Sequence, residues 1–280
     1  MKKSIRSIII ISITIVMFMN VVFATTTSAP KVIQSNNVTL EGIPSIIEGK
    51  VTFSGTTTNE KVKILVVKDE RQRWYDVNLE DGAFNEEIWL IDGTGDYKVA
   101  VLVHLEGRRY SFGPTVYVEN ITEVNRFLVP TLHVESNHEE IINLANEITK
   151  NDLTDMEKAR SIHNWVASNI RYDYTKYLRQ LNGNFDNDYG ALNTLKTGIG
   201  VCYDYSKLVA ALGRAVDLQV KVIKGNYVSP FRNELHAWNE IYISEEERWI
   251  NLDTTFAASM RKNYFDNSDF FDDHEKLEEY

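Results

Sequence analysis

The spacing of apolar residues changes once along this chain, and that change limits its fold more than any other feature. Between about Val38 and Val118 apolar residues recur at every second position. Val62, Ile64 and Val66 alternate with Lys61 and Lys63, and Val99, Val101, Val103 and Leu105 share a face opposite Lys98 and His104. After Pro130 the spacing becomes helical, as in Ile141, Leu144, Ala145 and Ile148. A strand turns a side chain to the same face every two residues and a helix every 3.6, so the two halves need different architectures.

Turn residues separate the strands of the first half: Glu80-Asp81-Gly82, Asp92-Gly93-Thr94-Gly95-Asp96 and Glu106-Gly107. Short strands at such intervals predict an antiparallel, immunoglobulin-like β-sandwich over residues 38–130, with 25–37 as a linker. Its strand aromatics read as packing rather than as a surface for a wall polymer.

In the second half, residues 131–280, Ser136-Asn137-His138-Glu139 and Thr154-Asp155-Met156-Glu157 have the form of capping boxes. The second opens a helix with Ala159, Ile162, Val166 and Ile170 inward. Tyr172 to Tyr189 is polar and reads as a long loop, and the acidic, aromatic tail from Asp266 to Tyr280 reads as a solvated terminal segment. That tail lacks the ligand spacing of a calcium loop.

The chain holds 40 acidic against 30 basic residues, a net charge of −10, which counts against nucleic acid as a partner. Lys2, Lys3 and Arg6 precede an apolar run from Ile8 to Ala24 that ends Val22-Phe23-Ala24. This pattern predicts a signal peptide over 1–24 and export to the cell surface or beyond. The rival reading is an uncleaved membrane anchor, although Ser12, Thr14 and Asn20 interrupt the run. Cleavage removes three positive charges and no negative one, leaving a still more acidic protein.

Export makes the one cysteine, Cys202, a matter of interest, since it has no disulfide partner in its own chain. A lone cysteine is often a small buried hydrophobe. Cys202, however, follows Gly198-Ile199-Gly200-Val201 and opens a helical pattern through Tyr205, Leu208, Val209, Leu212 and Val216. The unpaired N–H groups and positive dipole end of such a helix favour a thiolate. Asp204 works against it if its carboxylate faces the sulfur. Downstream, Gln219–Tyr227 and His236–Ile243 read as strands, and the acidic turn Ser244–Glu247 leads into Arg248–Asp253. If the last two form a hairpin with Ile243 opposite Arg248, Asp253 lies diagonally beside His236, within reach of a hydrogen bond. A slip of one residue would put Asp253 on the other face.

Three blocks, Gly200-Val201-Cys202-Tyr203-Asp204-Tyr205-Ser206, His236-Ala237-Trp238-Asn239-Glu240-Ile241-Tyr242 and Trp249-Ile250-Asn251-Leu252-Asp253-Thr254-Thr255, together resemble the transglutaminase-like superfamily. The resemblance runs from the helix near Ala159 to about Phe256. It implies an α+β papain-like core, with Cys202 as nucleophile, His236 as general base and acid, and Asp253 as the residue that orients the histidine. The expected function is an exported thiol acyl-transfer enzyme acting on amide bonds of proteins or peptides, cell-wall peptides among them. Protease or amidase stands ahead of cross-linker. The alternative is an inactive module that binds peptide or wall polymer. The backbone N–H of Cys202 is one expected oxyanion donor, with Tyr172, Tyr174 and Tyr189 as candidates for the second. No metal and no cofactor is expected.

Overall fold

The computed structural model describes residues 31–184, 189–260 and 262–280, with only the backbone of Arg232; residues 1–24, read as a signal peptide, lie outside them. The period-two half forms nine strands: β1 Ile33–Ser35, β2 Val38–Leu40, β3 Ile46–Ile47, β4 Lys50–Thr57, β5 Val62–Lys68, β6 Arg71–Asp76, β7 Ala83–Trp89, β8 Gly95–His104 and β9 Tyr110–Asn120. They make a four-stranded sheet, β1-β2-β4-β7, and a five-stranded sheet, β3-β9-β8-β5-β6. The alternation explains the packing. Val62, Ile64, Val66, Val99 and Val101 meet Leu40, Val51, Phe53 and Ile88 in one buried core, while Lys63 and Lys98 stay out of it. The first strand starts at Ile33, inside the stretch read as linker, and pairs Ile33 to Leu40.

The second half contains helices α1 Glu139–Thr149, α2 Asp155–Asn169, α3 Tyr174–Leu181, α4 Ala191–Thr197, α5 Cys202–Arg214 and α6 Thr254–Met260. Short β10 (Arg171–Tyr172) and β11 (Ile199–Gly200) pair in parallel. Strands β12 Val220–Ser229, β13 Arg232–Ile243, β14 Arg248–Leu252 and β15 His274–Glu279 form an antiparallel sheet in the order β14-β13-β12-β15. The fold is therefore a β-rich N-terminal region followed by an α+β region.

Thr154 caps α2 as its motif predicts, exchanging hydrogen bonds with Glu157. At α1 the box expected at Ser136 gives way to His138 as the cap, whose Nδ1 accepts from the Glu140 N–H at 3.2 Å, because the helix starts at Glu139. Ile141, Ala145, Ile162 and Val166 pack with Leu208 and Leu212 of α5 against Val220, Val222, Ile241 and Ile250 of the sheet. Helix α5 is buried on every side from Asp204 to Arg214.

Two sequence expectations need correction. The polar stretch after Tyr172 is not a loop throughout: Asp173 accepts from the Lys176 N–H at 2.8 Å and starts α3. Its buried residue is Lys176, while its apolar residues Tyr174, Tyr177 and Leu181 face the cleft instead of a core. The tail is not solvated either. Phe270 is wholly buried, and β15 pairs with β12, Tyr227 opposite His274. An added Cβ at Gly225 would lie 2.1 Å from the Glu275 carbonyl and 2.4 Å from the Trp238 ring, so glycine is what lets the tail approach. Phe270 in the tail, with Tyr264 and Phe265 just before it, was the available sign of burial.

Candidate active site

Cys202 begins α5 because the chain before it is held extended. Gly200 sits in β11, its carbonyl accepting from the Asp173 N–H at 2.9 Å, and Val201 is the N-cap with φ −94° and ψ 176°. What approaches the glycine is another strand and a side chain: a Cβ at Gly200 would meet the Asp204 Cβ at 2.6 Å. Asp204 is buried, and its Oδ2 accepts from the Val201 N–H at 2.9 Å and from Lys176 Nζ at 2.8 Å. Burial raises its pKa above the usual carboxylate value, while Lys176 pulls against that rise. The carboxylate is thus engaged by the helix start and by α3.

The hairpin register is the one that the turn predicts, with Ile243 opposite Arg248 and Asn239 opposite Leu252. Asp253 follows directly, and its Oδ2 accepts from His236 Nε2 at 2.6 Å. Asp253 also starts α6, its Oδ1 accepting from the Phe256 N–H at 3.0 Å. Phe256 lies flat on the His236 imidazole, with centroids 4.3 Å apart and planes 16° apart.

The electrostatics follow from burial with partners. Burial alone would make His236 a weaker base, but the Asp253 charge, the Asp253 hydrogen bond and the neighbouring Cys202 outweigh that and raise its pKa to about 10. Burial would raise Asp253, yet the His236 charge and hydrogen bonds from His236, His274 and the Phe256 amide hold it well below the ordinary carboxylate range.

His274 is the residue that sequence reasoning missed. Its Nε2 lies 3.2 Å from the same Asp253 oxygen, and its Nδ1 faces the Phe270 carbonyl at 3.1 Å and Asp273 Oδ1 at 2.5 Å. The Phe270 ring stacks on it at 4.1 Å. Among the described residues, His236, Asp253 and His274 are also the group whose ligand atoms converge, all within 4.8 Å. A cation seated there would have to displace the protons that join them.

Cys202 and His236 line one cleft of about 680 Å³. Cys202 is half-buried. Helix α3 supplies Tyr174, Tyr177 and Leu181 to the walls, and α6 supplies Ser259 and Met260. Tyr172 and Tyr174 line the cleft as well; Tyr189 does not, and instead accepts a hydrogen bond from Gln180 and packs against Tyr203. Burial, then the Cys202 charge, raises the Tyr172 pKa, so its hydroxyl keeps its proton.

Residues 142–254 match the family described as the transglutaminase-like superfamily, and this stretch is a transglutaminase-like domain. No curated protein matches the chain. Among solved structures the chain is similar to a protein of Cytophaga hutchinsonii provisionally described as a cysteine protease, at 18% identity and a TM-score of 0.44, covering 89% of this chain and 84% of that one. It is also similar to a structure described as a TGase, at 16% identity and a TM-score of 0.31, covering 55% and 44%. A provisionally described protease of Parabacteroides distasonis follows, at 12% identity and 0.31, covering 71% and 39%.

Proposed function

We propose that the protein is an exported thiol acyl-transfer enzyme that cleaves amide bonds of proteins or peptides, with Cys202, His236 and Asp253 as its catalytic residues. The observation that carries this reading is the buried 2.6 Å His236–Asp253 hydrogen bond at the wall of the cleft that holds Cys202. Export rests on the pattern of residues 1–24.

The Cys202 thiolate adds to the amide carbonyl carbon, and the charge that develops on oxygen is met by the Cys202 backbone N–H and the Tyr172 hydroxyl. His236 then passes a proton to the departing amine as the C–N bond breaks, leaving a thioester. Water adds to the thioester, His236 takes its proton, and the acid product leaves as the thiol reforms. Asp253 holds the imidazole with Nε2 toward the carboxylate and Nδ1 free for this traffic. His274, through Asp253, is a positioning residue. Because Cys202 is half-buried in an open cleft, water reaches the thioester, which favours hydrolysis over cross-linking to a second amine.

The test is the rate of Cys202 alkylation by iodoacetamide against pH in the parent chain and in His236→Ala. Loss of the histidine is expected to slow alkylation at neutral pH by about tenfold to a hundredfold. Equal rates in the two proteins would sink the catalytic reading and leave a peptide-binding module.

A further inference from the structure

A second cavity, of about 340 Å³, lies between the sandwich and the α+β half. Strand β6 contributes Arg73 and Trp74, α5 contributes Tyr203 and Lys207, β12 contributes Lys224, and the residue after β15, Tyr280, closes it. No Asp or Glu lines it, in a chain with ten more acidic than basic residues. Charge of this sign, gathered from segments far apart in sequence, calls for a counter-charge.

The arginines have theirs. Arg73 donates from Nε and a terminal nitrogen to the two oxygens of Asp92, at 2.7 Å each, and Arg126, also at the cavity, reaches Glu279 at 3.4 Å. The lysines do not. Lys207 is only 4% exposed, and its ammonium donates to the Leu132 carbonyl at 3.2 Å with no ion pair among the described residues. Lys224 is half-buried, and its ammonium sits 4.8 Å from the Tyr203 ring centre and 4.5 Å from that of Tyr280, again without an ion pair among the described residues. Ring faces and one carbonyl soften the loss of water around a cation, but they do not neutralise it. Burial, reinforced by Arg214 and Lys224 and opposed by Glu135, lowers the Lys207 pKa to about 7.

We propose that this cavity binds a small organic anion, a carboxylate or phosphate with a planar or ring portion, between Lys207 and Lys224. The two ammonium groups meet the anionic head, and Trp74 and Tyr203 offer flat apolar walls to the ring. The site needs β6 of the sandwich as well as α5 and β12, so it gives the N-terminal region a share in binding. It does not depend on the chemistry at Cys202.

Isothermal titration calorimetry on the whole chain tests this, with benzoate, its neutral analogue benzamide, and inorganic phosphate as probes. Saturable binding of benzoate or phosphate is expected, with none for benzamide. Lys207→Met or Lys224→Met is expected to weaken it about tenfold or more, the loss of a charge-assisted contact. Lys61→Met, on the exposed surface of the sandwich, leaves it unchanged. Whichever anion binds identifies the head group. Absence of saturation with both anions, equal binding of benzamide, or affinity unchanged in both cavity variants overturns the proposal. Should Lys207→Met fail to fold by circular dichroism, the half-buried Lys224→Met decides.

Discussion

Helix α5 contributes to two buried groups of charge that are built on opposite plans. At its start, beside the cleft, the charges are paired: Asp204 has Lys176 at Oδ2, although its Oδ1 is buried without a hydrogen bond, and Asp253 has two imidazoles and an amide. A turn later, Lys207 faces a cavity with the Leu132 carbonyl and the Tyr203 ring beside it and no ion pair among the described residues. A satisfied buried network is rigid and holds one geometry, whereas an unsatisfied one is receptive to whatever supplies the missing charge. The first arrangement suits a reaction and the second suits binding.

The comparison breaks most violently at Asp253. Its replacement by Ala leaves two buried imidazoles without their acceptor, and about 3–5 kcal/mol of unfolding free energy is expected to disappear in urea titration. A loss under about 1 kcal/mol would mean that the cleft network is looser than its distances suggest.

The two regions also answer pH with opposite signs. His236 has its pKa raised from 6.5 to about 10 in the folded chain, so its contribution to stability is complete below 6.5 and fades as pH rises through 10. Lys207 has its pKa lowered from 10.5 to about 7. Its buried charge therefore costs stability below 7, a cost relieved as pH rises from 7 to 10.5. Urea unfolding across that window should show a shallower decline in His236→Phe than in the parent chain, and a steeper one in Lys207→Met. Parallel curves would contradict both assignments.

Smaller effects sharpen the picture within the cleft. His274→Phe keeps the stacking on Phe270 but removes the second donor to Asp253, and Cys202 alkylation at neutral pH is expected to slow about threefold to tenfold. His274→Gln, which keeps a donor at the same reach, should restore most of the rate. A purely structural His274 would instead lower the melting temperature in both variants and leave the rate of the folded protein alone. Least of all, Thr154→Ala costs about 1 kcal/mol through the lost cap of α2 and touches neither region.

Much of the cleft is legible in the amino-acid sequence. The acidic turn at Ser244–Glu247 sets the β13–β14 register, and period two then puts Asp253 on the side of His236. The glycines ahead of Cys202 signal a close approach, although only the fold shows that the approaching groups are β10 and Asp204. Helix α3 does carry a helical period, Tyr174, Tyr177, Leu178 and Leu181, but the polar residues between them mask it; Tyr174, Tyr177 and Leu181 line the cleft, while Lys176 is the residue that is buried.

The sequence by itself determined the change of period near Pro130, the cap of α2, and the order in which Cys202, His236 and Asp253 enter the fold. All of these depend on residues a few positions apart, where periodicity and hydrogen-bonding reach are set by local backbone geometry. Tertiary structure alone decided that the tail returns as β15 past Gly225 to bring His274 to Asp253, and that β6, α5 and β12 enclose two lysines without an ion pair among the described residues. Such meetings join segments far apart in the chain. They are chosen by packing and by the cost of leaving charge unpaired, and neither is written in the spacing of neighbouring residues.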